Sequence, residues 1–378
     1  MTTLTFMTHT IFEHGASAQL GKVLAQHGLR RPLLCTDRGL VNLGMVDDLA
    51  AALGNDSALT VFDGTPENPT QAAVEEAVEK YIEADCDGVV ALGGGSSMDL
   101  AKAVALAVTH DGELIDYTAG LGGAAKIAQI APLVAIPTTS GTGSEVSSGA
   151  VIIMNNGEKL ILASKELVPR TAICDPSLTL GLPPHLTAAT GMDAMTHCIE
   201  ALLSPQINPP AEAVACDGIE RGIRDGNLVK AVQDGSDKDA RWHMMMAATE
   251  GAMAFSKGLG GVHSMSHACG ADQSLRLHHG TLNAVILPTI LDFNRDYVGA
   301  KYARLNAAMG ADVDNDPAEF IRNLNSNIGL PENLSEMGVK KDSIPALAEH
   351  AAKDVCTFTN PRPCSKEEYE ALFEVALS

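Results

Sequence analysis

The chain has 378 residues, 46% hydrophobic and 19% charged, enough apolar content for more than one buried core. Acidic residues outnumber basic ones by 21 and no basic tract offsets them, which argues against nucleic acid or an anionic membrane as partners. Eight cysteines (Cys35, Cys86, Cys174, Cys198, Cys216, Cys269, Cys356, Cys364) are scattered without a CxxC pair, the usage of a compartment where thiols stay reduced. The start Met1-Thr2-Thr3-Leu4-Thr5-Phe6 lacks the basic and apolar regions of an export signal, and no uncharged apolar run reaches membrane-spanning length. A cytoplasmic protein is expected.

The first half alternates short β-prone runs with helical stretches, the pattern of a doubly wound α/β plan with a parallel sheet. Pro32 to Thr36, Leu59 to Phe62, Gly88 to Leu92, Leu133 to Pro137 and Val151 to Met154 read as strands; Gln71 to Ala84 and Met98 to Thr109 carry helical spacing. After Pro183-Pro184 the strand signal fades. Leu186 to Leu203, Ala211 to Ile223, Ala240 to Phe255, Leu282 to Phe293, Pro317 to Ile328 and Ile344 to Cys356 all read as helices. The expected division is an α/β domain over 1–183 and an all-helical domain over 184–378.

Gly88-Val89-Val90-Ala91-Leu92-Gly93-Gly94-Gly95-Ser96-Ser97-Met98-Asp99-Leu100-Ala101-Lys102 leads from a buried strand through three glycines into an amphipathic helix. Without β-carbons the backbone can approach a pyrophosphate, whose charge the free N–H groups at the helix start stabilise. The run is not GxGxxG, and three glycines alone also suit a plain tight turn. Two further features bear on the reading. Asp37, at the end of an earlier strand, can accept from an adenosine ribose and repel a 2′-phosphate, favouring NAD over NADP. A second small-residue loop, Pro137 to Glu145, follows another strand and supplies hydroxyl and backbone donors.

In the second half Asp193 and His197 stand at i, i+4, so a helix sets both on one face, and His263 and His267 repeat that spacing. His278 and His279 follow, before Gly280. Carboxylate and imidazole ligands in apolar surroundings form a metal-site pattern suited to Fe²⁺ or Zn²⁺, with room for a substrate oxygen. No Gly-x-Ser-x-Gly elbow or cysteine nucleophile motif competes with it.

These segments resemble the iron-containing (group III) alcohol dehydrogenase family over essentially the whole chain. The matching blocks stand in order: Pro66-Glu67-Asn68-Pro69-Thr70, Gly93 to Lys102, Ile136 to Val146, Leu186 to Asp193, the His263/His267 segment, His279 to Ala284 and Thr359-Asn360-Pro361-Arg362. The resemblance implies a Rossmann-like dinucleotide-binding domain joined to an all-α metal-binding domain, a dehydroquinate synthase-like architecture, with a homodimer or larger assembly. It implies NAD(H) and Fe²⁺ or Zn²⁺ as cofactors, and hydride exchange between nicotinamide and a small primary alcohol or aldehyde.

Carried over by motif, the metal ligands are Asp193, His197, His263 and His279, the last preferred over His278 because Gly280 follows it. His267 matches a histidine that relays protons. Asp37, Asn68, Gly94, Gly95, Ser96, Asp99, Thr138, Thr139 and Lys159 match positions that contact NAD. The Phe255 to Gly261 loop and the stretch after His267 depart from the family pattern; Lys257 and Arg276, each flanking a ligand segment, are candidates to pair with an anionic tail on the substrate, and Phe255 is a further candidate substrate contact. The competing readings are a glycerol or polyol dehydrogenase of the same superfamily, a non-catalytic NAD or metal sensor, and a metal hydrolase.

Overall fold

The computed structural model describes residues 8–53, 58–271, 275 and 277–378. The chain forms two compact units, one of residues 8–139 with Gly143–Thr179, the other of Leu180–Ser378 with the short loop Ser140–Thr142.

The first unit runs β1 (His9–Phe12), α1 (Leu20–His27), β2 (Pro32–Cys35), α2 (Arg38–Asn42), α3 (Met45–Ala51), β3 (Thr60–Phe62), α4 (Gln71–Glu83), β4 (Gly88–Gly93), α5 (Gly95–Ala107), β5 (Leu133–Pro137), β6 (Gly149–Ile153), β7 (Lys159–Ala163) and β8 (Thr171–Cys174). Six strands make one sheet in the order β1-β8-β5-β4-β2-β3, parallel throughout. Its central strands are unbroken apolar runs because both faces are covered. Leu33, Val89 and Ala91 pack with Val74 of α4 and Leu100 and Val104 of α5, while the alternate residues Leu34, Val90 and Ile136 pack with Leu20 and Leu24 of α1. From β2 the chain goes outward to β3, then returns to β4 on the opposite side of β2. The strand order therefore reverses between β2 and β4, where open α/β sheets form a binding crevice at the strands' carboxyl ends.

One expected strand lies elsewhere. The run from Val151 to Met154 does not join the parallel sheet: β6 pairs antiparallel with β7 in a separate hairpin, from Gly149 opposite Ala163 to Ile153 opposite Lys159. Asn155-Asn156-Gly157 supplies the turn, with Gly157 at φ +86°, and such a turn folds a strand back on its neighbour.

The second unit is helical, with no strand among its described residues: α6 (Pro184–Leu203), α7 (Pro209–Ile219), α8 (Asn227–Gln233), α9 (Lys238–Ala254), α10 (Gly261–Gly270), α11 (His279–Asn294), α12 (Lys301–Met309), α13 (Pro317–Asn327), α14 (Ile344–Lys353) and α15 (Lys366–Ala376). Pro184 opens α6, where a missing N–H costs nothing, and every residue from Thr187 to Leu203 is buried. A helix buried on all sides is a core element, here enclosed by α7, α9 and α11. No described helix is long and apolar enough to cross a membrane. The loop Ser140–Thr142 belongs to this unit, because a β-carbon on Gly141 would lie 2.9 Å from that of Thr190 on α6.

The approach of α11 to α6 is equally tight. A β-carbon on Gly280 would sit 2.2 Å from the Ala189 carbonyl oxygen and 3.1 Å from Cβ of Asp193. Gly280→Ala is expected to force the two helices apart at a loss of about 1–3 kcal/mol, read as a lower denaturation midpoint with an unchanged slope.

Candidate active site

Two groups on α6 begin the site. Asp193 and His197, 2% and 4% exposed, face the same side of the helix, with Nε2 of His197 3.8 Å from Oδ1 of Asp193. From α10, His263 stacks on His197 with ring centroids 4.8 Å apart. His279 opens α11 with its Nε2 3.6 Å from Asp193 Oδ1 and its ring 5.3 Å from that of His263. One turn along α11, the amide nitrogen of Asn283 lies 2.7 Å from Asp193 Oδ1, 3.3 Å from His263 Nε2 and 3.1 Å from His279 Nε2. The lone pairs of three residues thus converge on one small region.

His278 is the exposed residue preceding α11, its Nδ1 3.4 Å from Thr281 Oγ1. His279 is the one of the two in contact with Asp193.

Burial dominates the electrostatics. It lowers His197 to about 4 and His263 to about 3, the neighbouring His267 adding to the second shift. Both imidazoles are neutral near pH 7 and keep a nitrogen lone pair for a cation. Ligand atoms of Asp193, His197 and His263 lie within 4.8 Å of one another. Donors about 2.1 Å from a tetrahedral ion stand roughly 3.4 Å apart, and the 3.6 and 3.8 Å separations at Asp193 lie close to that. One carboxylate with neutral imidazoles is a donor set for a borderline divalent cation. The residues fit a metal.

His267 is set apart from this group by its partner. Its Nδ1 lies 2.9 Å from Oδ2 of Asp354, and its ring stacks on His279 at 5.5 Å. Burial alone would raise the Asp354 carboxyl, yet His267 and the Cys356 amide hold it at about 2. An anionic Asp354 accepts Nδ1–H and leaves Nε2 of His267 for other work.

The three candidate substrate contacts fare differently. Phe255 meets His197 edge-on at 5.1 Å, beside the ligand cluster. Lys257 turns elsewhere: its buried ammonium donates to the carbonyls of Ala201 (2.8 Å), Leu202 (3.2 Å) and Ser204 (2.7 Å) and pairs with Glu212 at 3.1 Å. Those are the open carbonyls at the end of α6, which a cation satisfies and whose dipole it complements. Arg276 lies outside the described residues. Sequence reading also gave no role to Asn283, Asp354 or Glu200; Asp354 meets His267 across 87 residues, whereas Asn283, four residues after His279, and Glu200, seven after Asp193 on the same helical stripe, carried a local signal.

In the first unit, Gly93 has φ +146°, and a β-carbon there would strike Ser97 Oγ at 2.5 Å, so only glycine makes this turn into α5. Gly94 is the cap of α5, and Gly95 and Ser96 open it with partial exposure. The Ser96 hydroxyl donates to the Glu67 carbonyl. The loop after β5 lies alongside: Thr138 N–H donates to Gly93 O at 2.9 Å, and Thr139 packs where a Gly94 side chain would go. Asp37 caps α2, accepting from Leu40 N–H at 3.1 Å. Lys159 donates to Asn68 Oδ1 at 3.0 Å. Asp99 has a partner at each oxygen, Ser144 Oγ at 2.7 Å and Val151 N–H at 2.9 Å, and so ties α5 to β6.

A parallel sheet with a glycine turn at its order reversal suits a nucleotide, and a helical unit with a carboxylate and imidazoles converging in its core suits a divalent cation. Family models for the iron-containing alcohol dehydrogenase and for the C-terminal region of the Fe-containing alcohol dehydrogenase family match residues 7–176 and 187–377. The chain belongs to the iron-containing alcohol dehydrogenase family, whose cofactors are NAD(H) and iron. It is 48% identical to a 4-hydroxybutyrate dehydrogenase of Cupriavidus necator, covering 98% of this chain and 99% of that protein. Among solved structures, a 1,3-propanediol oxidoreductase matches with TM-score 0.93 at 34% identity, each chain covered completely. A sulfoacetaldehyde reductase from Bifidobacterium kashiwanohense in complex with NAD⁺ matches with TM-score 0.90 at 26% identity, covering 100% of this chain and 99% of that one.

The seat of Lys257 generates a test. Lys257→Met removes one of the cations on Glu212 and leaves carbonyls at the end of α6 unsatisfied, and is expected to cost about 1–3 kcal/mol in chemical denaturation. The ratio of kcat/KM between a charged and a neutral aldehyde should stay as in the parent; a selective loss for the charged one would return Lys257 to the substrate.

Proposed function

We propose that this chain is an NAD(H)-linked dehydrogenase of short ω-hydroxy acids, interconverting a terminal alcohol such as that of 4-hydroxybutyrate with its semialdehyde. The supporting observation is the 48% identity, over nearly the full length of both chains, to a 4-hydroxybutyrate dehydrogenase. The sulfoacetaldehyde reductase among the structural relatives also has, by its name, a short aldehyde bearing an acid.

In this reading Asp193, His197, His263 and His279 hold the divalent cation. The nucleotide is held by the strand-end turns of an N-terminal domain, 1–183, through Asp37, Asn68, Gly94, Gly95, Ser96, Thr138 and Thr139, with Asp99 and Lys159 steadying them. When bound, the cation supplies Lewis acidity at the substrate oxygen and the nicotinamide exchanges hydride with the carbinol carbon. His267 moves the proton: with Nδ1–H given to Asp354, its Nε2 takes the hydroxyl proton in oxidation and returns it in reduction, a contribution of about 10²-fold or more. Phe255 walls the pocket beside His197. A cytoplasmic homodimer accords with the reduced cysteines and the family resemblance.

Two measurements test this. His279→Ala should lose most of its bound iron under dialysis while His278→Ala retains it; equal retention would remove His279 from the ligand set. With anaerobically iron-loaded protein and NADH, kcat/KM for succinate semialdehyde should exceed that for butanal by about tenfold or more, a transition-state difference of roughly 1.4 kcal/mol. Equal efficiencies would sink the acidic-substrate assignment while leaving the dehydrogenase standing.

A further inference from the structure

Glu200 is 5% exposed and comes from the stripe of α6 that carries Asp193 and His197. Its two oxygens do different things. Oε2 lies 2.5 Å from Nδ1 of His263. Oε1 accepts the Val262 N–H at 2.8 Å, among the first donors of α10 and without a partner inside that helix. Asn360, from the Thr359-Asn360-Pro361-Arg362 tail, takes the adjacent donor, Gly261 N–H, at 3.0 Å. Gly260 makes room for both: a β-carbon there would fall 2.9 Å from Glu200 Oε1 and 2.8 Å from Asn360 Oδ1.

We infer that Glu200 is the positioning residue of the metal centre: one carboxylate seats the first turn of α10 on α6 and fixes the rotation and tautomer of His263. The inference rests on the reading of His263 as a ligand. An ionised Glu200 accepts only from an N–H, so opposite it Nδ1 carries the hydrogen and the Nε2 lone pair is turned to the Asn283 amide beside Asp193. Without this partner the ring could place hydrogen on Nε2, which cannot then ligate, or turn about χ2. The helix cap matters as well, since the ring's direction means little unless the backbone bearing it is fixed. Outer partners of this kind change metal affinity by about 10–100-fold.

The test compares Co²⁺ affinity, by competition with a chromophoric chelator, in the parent protein, Glu200→Gln, Glu200→Ala and His263→Ala. Glu200→Gln preserves shape while replacing one acceptor by a donor, so it keeps the measurement open if the alanine variant folds poorly. Expected are a dissociation constant raised about 10–100-fold in Glu200→Ala and less in Glu200→Gln. The Co²⁺ protein should also show a solvent-protected imidazole N–H proton in its paramagnetic NMR spectrum, assigned to His263 by selective ¹⁵N labelling of histidine and shifted in Glu200→Gln. A residue serving only to pack α6 against α10 would lower the melting temperature without moving that resonance. Parent-like affinity and an unmoved resonance in both Glu200 variants, with cobalt lost from His263→Ala, would overturn the role of Glu200 alone. Retention of cobalt by His263→Ala would overturn the ligand reading beneath it.

Discussion

A carboxylate and two neutral imidazoles with ligand atoms within 4.8 Å of one another are a poor arrangement for a protein core. Acceptors repel acceptors, and burying an ionised carboxylate costs several kcal/mol unless something opposes the charge. Packing around them has to hold what their own interactions would disperse. This is why the helices bearing Asp193, His197, His263 and His279 approach so closely. Glycine at 280 lets α11 rest on the backbone of α6, and glycine at 191 leaves space for Leu228, whose Cδ1 would be 2.3 Å from a β-carbon there. Small residues do here what large apolar ones do in ordinary cores: they set the separation between rigid elements.

Direction is imposed from behind the rings. His263 and His267 both give Nδ1 to a carboxylate, Glu200 in one case and Asp354 in the other, and both therefore present Nε2 forward. The two differ in surroundings. His263 lies at 1% exposure among other ligand candidates, whereas His267 keeps partial exposure, which suits the proton transfer proposed for it. The far end of α6 is secured in the same manner with the opposite charge. Lys257 and Lys301 both reach the Ser204 carbonyl, and Arg304 joins them on Glu212. A helix carrying a buried carboxylate and an outer one is thus closed by cations at its negative end.

How much of this could be read in the chain depended on sequence distance. Asp193 with His197, and His263 with His267, announced themselves because helical spacing places such pairs on one face. The glycine turn was visible because a positive φ before a helix leaves a compositional mark. Pairings across long separations left none: Asp354 meets His267 across 87 residues, and Glu200 meets His263 across 63. Lys257 misled for a related reason. Nearness in sequence to a ligand segment says nothing about direction, and three carbonyls from a helix end 53 to 56 residues earlier claim its ammonium. The strand at Val151 was recognisable as a strand, but its partner is set by the Gly157 turn rather than by its own apolar pattern.

The first unit poses the opposite electrostatic problem, since a chain with a formal charge of −21 must hold an anionic cofactor. Two of its lysines are engaged by protein groups. Lys102 is wholly buried, donates to Ser144, Ser147 and Gly149, and is lowered by burial to about 8 against the pull of Asp99. Lys159 is given to Asn68. At the reversal of strand order, Gly94, Gly95 and Ser96 stand partly exposed at the positive end of α5. A nest of amides fixed by the flanking strands recognises phosphate by shape as well as charge, and it needs no flexible cation to be ordered on binding. The buried Lys102 and Asp99 tie α5 to Ser144 and β6, and in the reading proposed above they would act on the cofactor at one remove, by holding still the helix whose end meets it.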